Sequence, residues 1–221
     1  MTDPLAQDLA AIDAATARLL GTLAGLDDAT ARRPSRLPGW TVGHVVTHVA
    51  RNADGMLRLV DWALTGVETP MYASAEARTA DIDAGSSRPA DVLVDDVRDS
   101  AARLAVGLAR LSQAGPEALD RLVVFGPPRP GQVPDTPASA TAFGRLREVE
   151  IHHVDLGLAY GPDDWPDDFV ERTLLFVHGR SGPVDVVGDP AEVLAWRIGR
   201  GAGPTVRRLD GSEPGDPPAT W

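Results

Sequence analysis

Residues 147–157 read Arg147-Glu148-Val149-Glu150-Ile151-His152-His153-Val154-Asp155-Leu156-Gly157, and the placing of polar groups in this stretch decides the fold. At 100° per residue, Glu148 and His152 fall on one stripe with Thr141, Arg145, Asp155 and Ala159. Val149 and Leu156 flank that stripe on one side, Ile151 and Leu158 on the other. A solvated helix face is polar from shoulder to shoulder, whereas a polar stripe between apolar shoulders points into a bundle. The pattern predicts a helix from about Ser139 to Tyr160.

A matching stripe lies about 100 residues earlier. Trp40-Thr41 reads as a staple residue and an N-cap, opening a helix from Val42 to Thr65 that Gly66 ends. Its stripe through His48 carries Thr41, His44, Val45, Asn52, Gly55 and Leu59, with Val49 and Met56 beside it. Leu5 to Leu26 forms a further amphipathic helix behind an Asp3-Pro4 start, and Pro89 opens another from Asp91 to Leu111. Residues 67–87 carry a short helical stretch at best, ending at Gly85-Ser86-Ser87, and 115–137 form a Pro- and Gly-rich connection around a short strand at Leu122–Phe125. Four long helices predict a mainly α fold, a four-helix bundle over residues 1–162. Residues 163–221 alternate helix and strand patterns, with helices at 165–179 and 191–198 and strands at 184–187 and 205–209, and read as a small C-terminal α+β domain.

Buried carboxylates and imidazoles need partners or a metal. Glu148 and His152, one turn apart, and His48 from the facing helix would make an N,N,O set, whose open fourth position suits catalysis. Spacing alone leaves other assignments standing. His44 lies one turn from His48 and competes as a ligand, Glu150 with His153 is a rival pair on the opposite side of its helix, and a Glu-x-x-x-His pair also suits a solvated surface.

Composition narrows the chemistry. The 221 residues contain no cysteine, and all 21 basic residues are arginine. Lysine Schiff bases, phosphate-loop lysines, cysteine nucleophiles and thiolate metal sites are excluded. A net charge of −11 argues against nucleic acid and anionic membrane surfaces as partners. No apolar run reaches the ~20 residues of a membrane span, and the start resembles no signal peptide, so a cytoplasmic location is expected.

Leu37-Pro38-Gly39-Trp40-Thr41-Val42, then Val45-Val46-Thr47-His48-Val49-Ala50, together with residues 147–157, resemble the mycothiol-dependent maleylpyruvate isomerase family of DinB-like metal-binding four-helix bundles. The resemblance spans nearly the whole chain. It implies His48, Glu148 and His152 as metal ligands, zinc as the metal and the low-molecular-weight thiol mycothiol as cosubstrate. It further implies that a metal-activated thiolate adds to the cis double bond of maleylpyruvate. Rotation about the resulting single bond and loss of the thiolate would give fumarylpyruvate. The family's C-terminal arginine falls best on Arg200, with Arg197 as the alternative. Arg145 is a second candidate for a substrate carboxylate or the cofactor, and Asn52 and Asp155 are candidates to orient the imidazoles. A mycothiol S-transferase acting on another electrophile and a non-catalytic metal- or thiol-binding protein are the alternative functions. A monomer working on small molecules is the expected assembly.

Overall fold

In the computed structural model, which describes residues 3–217, the chain divides into two compact units, with the boundary between Gly157 and Leu158. The first unit is helical. Helix α1 spans Pro4–Leu23, capped by Asp3, whose carboxylate accepts from the Leu5 N–H; a single turn, α2, follows at Asp28–Ala31. Helix α3 runs Val42–Thr65 between the Thr41 cap and Gly66, which sits at φ 75°, where a side chain would be strained. Both ends fall where the sequence places them.

Helix α4, Ala75–Ser86, is three full turns where the sequence predicts a short stretch. Ser74 caps it by accepting from the Ala77 N–H, and the helix runs through Gly85 before stopping. Only Ile82 and Ser86 on it are buried, so no apolar periodicity announces it. Helix α5 spans Ala90–Ser112, and the turn α6, Pro116–Leu119, precedes a small antiparallel pair, β1 (Leu122–Val123) with β2 (Thr136–Pro137).

Helix α7 spans Ala140–Asp155, shorter than the expected run to Tyr160. Gly157 adopts φ 66°, and that left-handed residue ends the helix ahead of the apolar shoulder that would continue it. The long helices pack in a ring, α1 on α7 and α5, and α3 on α5 and α7, with α4 laid against α3. The core is aliphatic: Leu19 and Leu23 of α1, Val45 and Leu59 of α3, Val97, Leu104 and Leu108 of α5 and Val149 of α7 are all buried. Burial of each such side chain is worth about 1.5–3 kcal/mol against exposure. Gly43 allows α3 to touch its neighbours, since a Cβ there would stand 2.2 Å from the Ser86 carbonyl oxygen.

The second unit has a short 3₁₀ turn at Pro162–Asp164, helix α8 (Asp167–Ser181), and helix α9 (Pro190–Arg197) packed on α8. Strands β3 (Val186–Val187) and β4 (Arg207–Arg208) pair antiparallel, giving the small α+β character expected. Among the described residues, no helix is long and apolar enough to cross a membrane.

Candidate metal centre

His48 stands in the second turn of α3, and Glu148 and His152 stand one turn apart on α7. The packing of α3 on α7 brings the three together. His48 Nε2 lies 3.1 Å from Glu148 Oε2 and 3.0 Å from His152 Nε2, and the third edge, His152 Nε2 to Glu148 Oε2, is 3.5 Å. Ligands about 2.1 Å from a tetrahedral ion stand roughly 3.4 Å apart, so these donor atoms already hold the spacing a divalent ion requires. The imidazole side chains are 4% and 8% exposed, but Glu148 keeps 22%, which opens the triangle on its carboxylate side. Among the described residues, this is the grouping of histidine and carboxylate side chains that fits a metal ion.

Hydrogen bonds behind the triangle fix the rings. His152 Nδ1 donates to Asp155 Oδ2 at 2.8 Å, and Asp155 is fully buried. That bond turns the bare Nε2 of His152 toward the triangle. On the other side, Arg78 Nη2 lies 3.2 Å from His48 Nδ1. A guanidinium only donates, so His48 Nδ1 accepts and His48 Nε2 carries the hydrogen. The His48 Nε2–H then faces both Glu148 Oε2, at 3.1 Å, and His152 Nε2, at 3.0 Å.

Burial, reinforced by the charge of the adjacent His152, lowers the His48 pKa to about 4. Burial works against ionisation of Glu148, but hydrogen bonds from His152 and His48 outweigh it and hold the carboxyl well below its ordinary range. For His152 burial again opposes the charge, and the bonds to Asp155 and Glu148 overcome it and raise the pKa. The carboxylate is therefore ionised and ready to ligate.

The remaining candidates sort by contact. His44 is held outside the triangle: its Nδ1 lies 2.7 Å from Thr41 Oγ1 and 3.2 Å from the Thr41 backbone nitrogen in a capping box, and its Nε2 is 3.7 Å from Asp83. Glu150 pairs with Arg18, and His153 Nε2 meets Thr22 Oγ1 at 2.7 Å, so that rival pair faces α1. Asn52 turns to Arg145 rather than to an imidazole. The buried Arg145 Nη1 donates to Asn52 Oδ1 at 2.8 Å and to the Val49 carbonyl at 2.9 Å. Its burial brings the Arg145 pKa down to about 10. Arg200 lies in the second unit, where its Nη1 donates to the Ile198 carbonyl, and Arg197 donates to Ser181 Oγ and the Gly182 carbonyl.

Three neighbours of the triangle were not singled out as site residues by the sequence. Arg78 comes from α4, and its guanidinium also lies 5.6 Å from the ring centre of the buried Tyr72. Trp40 meets His48 edge to face, with ring centroids 5.6 Å apart, and stacks on His44. Only Trp40 had a readable signal, as the residue before the cap.

The loop before α3 is tied to the end of α7 by the Arg36 N–H, which donates to the Asp155 carbonyl oxygen at 2.9 Å. Residues 12–157 match the model of the mycothiol maleylpyruvate isomerase N-terminal domain. The chain belongs to the mycothiol maleylpyruvate isomerase family. A crystal structure of the mycothiol-dependent maleylpyruvate isomerase is similar at TM-score 0.83 and 31% identity, over 99% of each chain. A second, of a mutant of that enzyme with a histidine replaced by alanine, is similar at 0.83 and 30%, again over 99% of each chain. No protein of curated function matches the chain. Family membership accounts for the bundle and for the two separated stretches that build the triangle. A cavity of about 680 Å³ lies within the second unit between α8 and α9 and includes none of the triangle residues.

Proposed function

We propose that the protein is a zinc- and mycothiol-dependent cis–trans isomerase that converts maleylpyruvate to fumarylpyruvate. The observation that carries this reading is the His48–Glu148–His152 triangle, spaced for a divalent ion in a chain of this family. The donor set supports zinc, because two imidazoles and one carboxylate with an open position form a common catalytic zinc site. When bound, the ion would supply Lewis acidity that lowers the pKa of a thiol and makes it a nucleophile at neutral pH. The thiol must come from outside, since the chain has no cysteine.

The protein's own groups do the holding. Asp155 keeps the His152 ring oriented, and Trp40 walls His48 from water. Arg145 and Asn52, bonded to each other across α7 and α3 about one turn from Glu148 and His48, are assigned to the cofactor pocket. Arg200 is assigned to a substrate carboxylate, which a guanidinium can fork. In this reading residues 1–162 form the metal-binding domain and residues 163–221 the smaller one. The enzyme acts in the cytoplasm, as a monomer, on small molecules.

The test is a direct assay. Purified zinc-loaded protein with mycothiol and maleylpyruvate should form fumarylpyruvate, and omission of either the thiol or the metal should abolish it. Stable thiol adducts of other electrophiles, without isomerisation, would instead make it a transferase.

A further inference from the structure

The residue of interest is Arg78, which the family's ligand set does not include. It is half-buried on α4, its guanidinium reaches His48 Nδ1 at 3.2 Å and Tyr72 lies beneath it. Among the described residues it forms no ion pair with a carboxylate, whereas Arg51 and Arg88 both bind Asp96, and Arg145 Nη1 is bonded to α3.

Arg78's bond to His48 requires a bare Nδ1. A neutral imidazole that ligates through Nε2 carries its hydrogen on Nδ1. Two donors then face each other at 3.2 Å, and the guanidinium loses this acceptor while keeping its contact with Tyr72. Its planar donor edge is left beside the His48 ring, over the buried Tyr72, whose acidity burial and the nearby Glu148 suppress. A donor-only cation in that position calls for an anion with two oxygens.

We propose that Arg78 receives a carboxylate of the substrate at this centre and becomes available for it when His48 turns to ligation. The inference rests on the metal-dependent reading above and assigns one carboxylate of that substrate to Arg78. It makes Arg78, rather than a C-terminal arginine alone, a determinant of substrate affinity.

The experiment compares zinc-loaded wild-type protein with R78Q and R78K. Zinc affinity is measured by competition with a chromophoric chelator. Maleate, a cis-dicarboxylate, and its uncharged diamide are titrated calorimetrically. In R78Q zinc should bind at least as well as in wild type, because a competing hydrogen bond is gone. Maleate affinity should fall about ten- to hundredfold, the range for losing a charge-assisted pair, and the diamide should be indifferent. R78K keeps the charge without the fork and should lie between; it serves as the measure should R78Q be poorly folded. In turnover the loss should appear in KM more than in kcat.

Wild-type protein that does not bind maleate, R78Q within threefold of wild type, or zinc lost together with maleate would each overturn the proposal, the last by making Arg78 a prop for His48. The two readings fail separately. Arg78-dependent maleate binding without maleylpyruvate turnover removes the isomerase and leaves Arg78. Isomerase activity with unchanged KM in R78Q does the reverse.

Discussion

Replacing Asp155 by asparagine should cost the metal centre about ten- to hundredfold in zinc affinity while leaving the fold in place. The side chain is fully buried, and its Oδ2 accepts from His152 Nδ1 at 2.8 Å. A charge-assisted hydrogen bond is worth about 1.5–3 kcal/mol, and a neutral one about half as much. If the substituted amide presents its carbonyl oxygen to Nδ1, only that charge increment is lost, and affinity falls by roughly tenfold. If it presents its amide hydrogens, Nδ1 becomes the acceptor and the hydrogen moves to Nε2, where it blocks ligation. The loss then approaches about a hundredfold. Asparagine matches aspartate in volume, so the packing around α7 is kept. Zinc Kd from chelator competition, with circular dichroism as the control for fold, measures the effect. A well-folded D155N variant with zinc Kd within threefold of wild type would refute the claim that this carboxylate sets the His152 tautomer.

Alanine at His48, Glu148 or His152 removes a ligand outright, and each variant should lose more than about a hundredfold in zinc affinity; elemental analysis showing wild-type metal in all three would exclude the triangle as the site. Gly43→Ala pushes a methyl group into the Ser86 carbonyl and should destabilise the protein by about 1–3 kcal/mol, seen as a lower urea midpoint. Thr41→Ala removes the hydroxyl that accepts from the His44 N–H, and a loss of about 1 kcal/mol is expected in the same measurement, with zinc content retained because His44 stands outside the triangle.

Sequence patterning served best where a helix buries one face and carries its own stop signals. Thr41 and Gly66 delimit α3 in the sequence as they do in the fold, and the stripe of His48 with the stripe of Glu148 and His152 does meet. His44 could not be separated from His48 by spacing, because both share one face; the difference is that His44 lies in the first turn, where the orphan N–H groups and the Thr41 hydroxyl claim its ring. The end of α7 was obscured because Leu156 and Leu158 extend the apolar shoulder, while the decisive residue is the left-handed Gly157. Helix α4 and its Arg78 were illegible for a further reason. A helix that buries two residues leaves little hydrophobic period, and the contact of Arg78 with His48 depends on how α4 folds back on α3.

The two stretches that mark the family lie about 100 residues apart, yet they act on one residue. The backbone carbonyl of Asp155 accepts from the Arg36 N–H in the loop that leads to the α3 cap, while its side chain holds His152. Ser35 closes the same loop, its N–H and its hydroxyl both bonding to the Trp40 carbonyl at 2.9 Å, and Trp40 packs edge-on against His48. The orientation of His152 and the placing of His48 are therefore linked through a loop that contains no ligand. Substitutions in residues 35–40 that spare every ligand should shift both imidazoles, because the helix end that orients one of them anchors the loop that walls the other. The bare Leu37-Pro38-Gly39-Trp40 turn thus belongs to the metal centre by mechanics rather than by coordination.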